Sequence, residues 1–529
     1  MKINYPGTPE SNAGGPTLRL DQLEAISTIK REVSETGRSG RVLLGAGMGS
    51  GKTVISCEVI IKTGAKRVLI VGVRDAYSQW AKTLKEQGHT EPMLRLNKPE
   101  NFNKLIDGED GIFYAGLEML RAQDWESRTE TSYMDADIMA MFGSGPDTVG
   151  RTETFSTHLN TYKNMRAVDL LFSDEAHKHS NQKSNSIKTM ETIPAKAIVA
   201  LSGTFFGNKF INAWSVTGWL WGKDVVGTKT AFTKQWCTEV PVMSKDGKKR
   251  IRTASGFPLS KITGEKNPGE FVQSLPCYVF VATPVGDVPE PEIVKVELRE
   301  EQQRQYDEME SKSLTWIPTE IIGSREPLVA DLDLVQRIRL RTAALGAMTL
   351  IPGETEEDAD KITFSPGCDS SVLDAAYKVL HRPTWVGQKV LILTHSKPFA
   401  NEVARRIGQK YSVGLKTGGV SPAKWDDEKA RFMMPVSETN SIQYLVAVIS
   451  AVGTAMDGLQ ANCSKVLWLS EDENNTNNIQ GGNRIWRDGV DIENYEAAKL
   501  VPSKTIAEGI LKKNDSHRAD VLDSVAGKG

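Results

Sequence analysis

The stretch RVLLGAGMGSGKTVIS, residues 41–56, sets a lysine and a threonine directly after the alternating glycines Gly45, Gly47, Gly49 and Gly51. Glycines let a backbone wrap closely round a phosphate, and a helix opening at the lysine would aim unpaired N–H groups at it. In such a turn Lys52 supplies positive charge for the β- and γ-phosphates of a nucleotide, and the Thr53 hydroxyl can ligate Mg²⁺. The strict pattern G-x-x-x-x-G-K-[ST] needs glycine at 46, where the chain has Ala46. A flexible glycine loop is the alternative.

A second cluster is VDLLFSDEAHKH, in which an apolar run delivers Asp174 and Glu175 at its end. Open α/β sheets bind ligands at the carboxyl ends of their strands. There Asp174 would hold Mg²⁺ through water, and Glu175 would orient and deprotonate an attacking water. Adjacent acids are also ordinary decoration of a helix N-terminus. Their place a lobe's length after a phosphate loop favours the chemical reading. His177 and His179 follow, with no third ligand at metal-binding spacing, so zinc is not expected.

A third cluster is QGGNRIWRDG, residues 480–489. If it is helical, Gln480, Arg484 and Arg487 fall at i, i+4 and i+7, on one face. Two arginines so placed either line a solvated surface or grip an anion.

These residues need elements to hold them. Short apolar runs, RVLLG, RVLIVGV, GIFYAG, VDLLFSD and AIVALSG, alternate with helical or loop segments, and the rhythm returns in QKVLILTHS, SVGLKTG, YLVAVIS and SKVLWLS. Strands alternating with helices indicate parallel α/β sheets. The expected fold is α/β, two parallel-sheet lobes with a helical insertion between them. The expected boundaries are a flexible N-terminus at 1–16, the first lobe at 17–205, the insertion and linker at 206–370, the second lobe at 371–500 and a C-terminal tail at 501–529. Residues 121–165, polar and weakly periodic, read as an insertion in the first lobe. Trp214, Trp219 and Trp221 read as packed core rather than as platforms for bases.

The chain has 529 residues, a formal net charge of −2 and 39% hydrophobic residues, the composition of an ordinary multidomain globular protein. Nothing global marks a polyanion binder, so such contacts would come from local clusters or backbone N–H groups. The best cluster is Lys245, Lys248, Lys249, Arg250 and Arg252; a solvated basic loop is the alternative. Five scattered cysteines with no C-x-x-C pair argue against zinc and disulfides and fit a reducing cytosol. No apolar run reaches membrane-span length, and the expected location is cytoplasmic or otherwise intracellular, not secreted.

Taken together, these motifs resemble the superfamily-two helicases and translocases over most of the chain. Ala46-x-x-Gly49-x-Gly51-Lys52-Thr53 is similar to that family's phosphate loop, and Gly47, Met48, Gly49, Ser50 and Gly51 would line the phosphates of ATP with it. Asp174-Glu175-Ala176-His177 resembles the second, DEAH-type motif, and Ser202-Gly203-Thr204 the third. His177, Ser202 and Thr204 would thereby couple nucleotide state to strand contacts. Gln22 resembles the glutamine that reads adenine. GTAMDGLQ, with Asp457 and Gly458, resembles motif V, and QGGNRIWRDG resembles motif VI. The resemblance implies that Arg484 and Arg487 reach the γ-phosphate as arginine fingers and that Gln480 contacts the nucleotide or the water. Asn483 stands where motif VI usually has glycine, and Val490 where it usually has glutamine.

Within the superfamily, TFFGNKFINAWSVTGWLW, the linker ending in Gln305 and Tyr306, and GQKVLILTHSKPFANEVARRI are similar to the Swi/Snf remodeller type. That resemblance implies that both lobes are RecA-like and that the chain is an ATP- and Mg²⁺-dependent translocase on double-stranded DNA, of a compact kind suited to a bacterial or virus-infected cell, that remodels DNA or protein–DNA complexes. Alternatives are a strand-separating DNA or RNA helicase, the motor subunit of a restriction or defence complex, and a P-loop ATPase or kinase that moves no nucleic acid. Protein partners are not indicated.

Overall fold

The computed structural model describes residues 18–34, 40–47, 49–121, 162–179, 185–203, 210–243, 249–252, 258–282, 285–286, 288–319, 323–351, 361–418, 420–452 and 458–525. Among these, 18–286 fall in one compact unit and 288–518 in another.

In the first unit each apolar run of the sequence becomes a strand: β1 (Arg41–Ala46), β2 (Arg67–Gly72), β3 (Leu94–Arg95), β4 (Gly111–Gly116), β5 (Val168–Ser173) and β6 (Ala195–Ser202). After them come β7 (Cys237–Pro241), β8 (Ser260–Glu265) and β9 (Tyr278–Val281). Strands run in the order β3-β4-β2-β5-β6-β1-β9, and every pairing is parallel. β1, β2 and β5 are almost wholly buried, as strands covered on both faces must be. Helices Leu20–Ser34, Lys52–Thr63 and Tyr77–Glu86 supply much of the cover, through Ile26, Ile29, Ile55, Val59, Trp80 and Leu84. Helix Asn212–Trp221 buries Trp214, Trp219 and Trp221 against the same core, the packed role expected of them.

The span expected to be helical insertion and linker divides. Tyr278–Val281 completes the first sheet beside β1, while β10 (Glu292–Val296) opens the second beside its last strand. Four-residue and five-residue strands with mixed burial carry too little periodicity to stand out in a sequence. Cys237–Pro241 and Ser260–Glu265 pair as an antiparallel ribbon of β7 and β8 rather than helix or loop.

The second unit adds the hairpins β11 (Leu314–Pro318) with β12 (Arg325–Val329) and β13 (Thr349–Ile351) with β14 (Lys361–Thr363). Its main strands are β15 (Val390–Thr394), β16 (Val413–Lys416), β17 (Tyr444–Val448), β18 (Lys465–Trp468) and β19 (Glu496–Pro502). They form a six-stranded parallel sheet in the order β10-β19-β18-β15-β17-β16. Gln305 and Tyr306 are buried on its helix Glu300–Lys312: Gln305 accepts from the Met348 N–H at 2.7 Å and Tyr306 Oη from that of Ile506 at 2.7 Å. The C-terminal segment, expected as a tail, is helical over Ile506–Val525.

All five cysteines are free thiols; four are buried and Cys277 is half-buried. Burial pushes Cys237, Cys277, Cys368 and Cys463 up to about 11, and Cys57 higher still. No described helix is long and apolar enough to cross a membrane.

His395, just after β15, lines a pocket with Arg341, Ser470, Glu471 and Lys499, and its Nδ1 lies 2.8 Å from Ser470 Oγ. Burial, then the charge of Arg341, holds its pKa well below the usual histidine value. The unfolded chain, with a pKa near 6.5, takes up a proton that the folded state refuses, so stability present above about pH 6.5 is lost as pH falls. Urea unfolding followed by circular dichroism should therefore show lower stability at pH 5.5 than at 7.5, by up to about 1.4 kcal/mol per pH unit. His395→Asn should flatten that slope.

Candidate nucleotide-binding site

Parallel pairing brings the ends of β1, β5 and β6 to one edge, because β6 lies between the other two. From β1 the chain turns through Gly49 and Gly51, at φ of 77° and 89°, backbone conformations that cost an L side chain about 1–2 kcal/mol. A Cβ on Gly51 would also stand 2.4 Å from Gln22 Nε2. Ser50 closes the turn on the Gly47 carbonyl, through its N–H at 3.2 Å and its hydroxyl at 2.6 Å. Helix Lys52–Thr63 then starts at Gly51, which brings no side chain to cap the first-turn amides. Lys52 lies back along the loop, its Nζ 3.4 Å from the Ala46 carbonyl.

Gln22, expected to read adenine, is buried on this loop. Its Nε2 donates to the Ser50 carbonyl at 2.8 Å and its Oε1 accepts from the Arg19 N–H at 2.9 Å. Arg19 also reaches the Ala282 carbonyl, just after β9, at 3.2 Å.

At the end of β5, Asp174 receives two hydrogen bonds, from Trp80 Nε1 to one oxygen and from the Glu175 N–H to the other, both 3.0 Å. Burial, and then the charge of Glu175, raises its pKa, while the Trp80 bond and Lys52 oppose the rise. Glu175 sits at φ 53°, an uncommon conformation for a non-glycine residue. His177 Nδ1 lies 3.3 Å from Glu175 Oε2 and 3.2 Å from Ser202 Oγ at the end of β6. Burial holds His177 neutral, its pKa down to about 4. Facing a carboxylate, Nδ1 must carry the ring's proton. A chain of contacts thus runs from the second motif to the third.

In the second unit Gln480 lies on helix Asn475–Gly482, which ends before the arginines. Arg484 and Arg487 occupy the turns that follow, not the continuous helical face that the spacing suggested. Gly481 and Gly482 carry the helix so close to Trp468 that added Cβ atoms would come within 3.3 and 3.2 Å of its ring. Arg484 and Gln480 are buried, and Arg487 Nε donates to the Asn483 carbonyl at 2.7 Å. Gly458 stands at φ 92° before the turn Leu459–Ala461. Met48, Thr204, Lys245, Lys248 and Asp457 lie outside the described residues.

Two residues escaped the sequence reading. Trp80 reads there only as an apolar anchor of its helix, and nothing local signals that its N–H meets an acid 94 residues away. Asn514, in the C-terminal helix, is buried and donates to Glu471 Oε2 and the Asp472 carbonyl, while its own carbonyl accepts from Asn475 Nδ2, all at 3.0 Å. It props the start of the Gln480 helix.

Residues 16–207 match the family described as the type III restriction enzyme, res subunit. The mouse protein named DNA excision repair protein ERCC-6-like is 22% identical over 397 residues, a span longer than that first lobe. The chain is thus similar to the restriction-enzyme family over its first lobe and to the excision-repair protein over a longer span. The mouse match covers 65% of this chain and 30% of that protein. The bovine protein of the same name is 22% identical over 398 residues, with the same shares. The chain thus spans about a third of the length of these relatives. A solved structure, the Sulfolobus solfataricus SWI2/SNF2 ATPase core in complex with dsDNA, covers 99% of this chain and 97% of its own at 16% identity, with a TM-score of 0.38.

The residues present fit a nucleotide with its magnesium. The left-handed glycine turn, the uncapped helix start and Lys52 suit a polyphosphate. Thr53 and Asp174 offer the hard oxygen donors that Mg²⁺ takes. A hydrogen bond to a charged group contributes about 1.5–3 kcal/mol, so Trp80→Phe, which keeps the ring and removes the N–H, should loosen Asp174. The expected result is roughly a tenfold higher Mg²⁺ concentration for half-maximal binding of a fluorescent ATP analogue, with metal-free binding unchanged. Fluorescence titration against Mg²⁺ measures it.

Proposed function

We propose that the chain is a nucleic-acid-stimulated ATPase that moves on double-stranded DNA and remodels DNA or protein–DNA complexes. The observation that carries this reading is the meeting of the glycine turn with Lys52, the Asp174–Glu175 pair and Ser202 at one edge of a parallel sheet. A second parallel-sheet unit bears Gln480, Arg484 and Arg487. The name of the curated relatives ties them to DNA.

In this reading the loop amides and Lys52 bind the β- and γ-phosphates of ATP, with Gln22 holding the loop and the adenine end. Mg²⁺, held by Thr53 and, through water, by Asp174, would supply charge neutralisation at the transferred phosphoryl group. Glu175 orients the attacking water and takes its proton. Arg484 and Arg487 stabilise the charge spread over the phosphoryl oxygens, worth about 10³-fold or more for a finger of this kind. His177 relays the occupancy of Glu175 to Ser202. Alternate closing and opening of the two units then grips and releases a DNA backbone through phosphate contacts, hence with little sequence preference. Lys249, Arg250 and Arg252, with Lys245 and Lys248, supply added phosphate contacts. Such a protein acts inside a cell, where ATP and DNA meet.

Steady-state hydrolysis by the wild type with duplex DNA, single-stranded DNA, RNA or no nucleic acid tests the reading. Strong stimulation by duplex DNA is expected, with Lys52→Ala and Arg487→Ala each lowering the stimulated rate by about 10³-fold. Equal rates with and without every nucleic acid would refute it.

A further inference from the structure

The hairpin of β11 and β12 stands outside the six-stranded sheet of the second unit, and its two faces meet different surroundings. Thr315, Ile317 and Leu328 are buried. The last two share a core with Tyr306 and Met309 of helix Glu300–Lys312 and with Leu340 of helix Asp333–Ala343. Side chains alternate along a strand, so the neighbours of these residues point the other way. On that outer face Trp316 lies opposite Pro327, and Leu314 opposite Val329. Trp316 and Val329 are 47% and 48% exposed. Past the end of β12, Leu332 and Leu334 are 65% and 52% exposed. Single exposed apolar residues are ordinary, but an open tryptophan set among aliphatic side chains has the make-up of an interface centre.

Hydrogen bonding decides what kind of segment fits there. The Ala330 N–H donates to the Ser313 carbonyl at 2.8 Å, and that of Thr319 to the Ser324 carbonyl at 3.1 Å. These bonds fix which pairs face each other across the ladder. Leu314, Trp316 and Pro318 on one strand, and Arg325, Pro327 and Val329 on the other, therefore turn their backbone groups to the outer edges. On the β12 edge Pro327 has no N–H to give. On the β11 edge Arg304 Nη2 already donates to the Trp316 carbonyl at 2.7 Å. Both edges are thereby closed to an added strand. A partner must be read through side chains on the open face, the mode in which an amphipathic helix binds.

Charge decides the sign of that partner. Arg325, on the outer face, lies 3.6 Å from Glu301, and Glu301 and Glu308 also hold Arg304, so two cations meet two acids. Outside that network the hairpin and its flanks expose Glu326, Asp331 and Asp333 against Lys312, none of them in an ion pair among the described residues. An acidic rim repels a phosphate backbone and attracts lysine and arginine.

We propose that this face docks a cationic amphipathic helix of a partner protein, whose apolar stripe covers Trp316, Pro327 and Val329 and whose lysines or arginines meet Asp331 and Asp333. The inference does not rest on the DNA-translocase reading.

The test uses the full chain and labelled peptides of about 18 residues, long enough to form a helix. One peptide carries leucines at i, i+3, i+4 and i+7 with lysines elsewhere, and the other has glutamates in place of the lysines. Fluorescence anisotropy should show the lysine peptide binding at least about tenfold more tightly than the glutamate peptide, with affinity falling as salt rises. Trp316→Ser with Val329→Ser should weaken the lysine peptide at least about tenfold. Trp316→Phe, which keeps an aromatic ring on the face, should bind as wild type does. Asp331→Lys with Asp333→Lys should weaken binding and flatten its salt dependence. Circular dichroism spectra of all variants should match the wild type, which separates loss of the face from loss of the fold. Unchanged peptide binding by the serine variant, or equal binding of the two peptides, would refute the proposal. Self-association of the wild type that the serine variant abolishes in sedimentation would overturn it in favour of a second copy of the chain. Loss of duplex DNA binding in that variant would overturn it in favour of nucleic acid.

Discussion

Parallel strand pairing is the constraint from which the rest follows. A parallel neighbour can be reached only by a crossover, so every turn that leaves a strand for its helix comes out on the same edge of the sheet. In the first unit this places the glycine turn after β1, the acid pair after β5 and Ser202 at the end of β6 side by side, although more than 120 residues separate the first from the second. An antiparallel arrangement of the same motifs would scatter them to opposite ends. The register also explains why β9, remote in sequence, matters: it is the outer neighbour of β1, and the Gly47 N–H donates to its Val281 carbonyl at 3.3 Å.

On that edge the dominant cost is desolvation. Asp174 and Glu175 are both nearly buried and adjacent, so neither can be charged cheaply. The protein meets this with fixed N–H groups, from Trp80 and from the Glu175 backbone, and with the nearby charge of Lys52. The bond to Oδ1 comes from the peptide of Glu175, a residue in an uncommon left-handed conformation. The backbone conformation of Glu175 and the orientation of the Asp174 carboxylate are therefore one structural decision.

Much of this was legible in the sequence, and the exceptions have physical causes. The central strands showed as dense β-branched runs because sheets covered on both faces need them, and the glycine turn showed because only glycine tolerates its φ values. The Asp174–Trp80 bond was hidden because it joins residues that share no local pattern. The arginines of QGGNRIWRDG have helical spacing but leave the helix, since the glycines that let it approach Trp468 also let it stop. The ribbon was read only as a basic stretch, because its alternation is interrupted by a register shift between Thr238 and Glu239 and its strands are short. The tryptophan-rich segment with Trp214, Trp219 and Trp221, by contrast, correctly indicated packing.

The cysteines carry a practical consequence. A thiol with a pKa near 11 is ionised at neutral pH in only about one molecule in ten thousand, and the thiolate is the species that alkylating dyes attack. Four of the five are also shut away from reagents, and the half-buried Cys277 shares the raised pKa. A single cysteine introduced on the exposed surface would therefore outcompete all the native ones for a maleimide fluorophore. The unaltered background can serve for single-molecule fluorescence, with no need to strip out native thiols that pack the core.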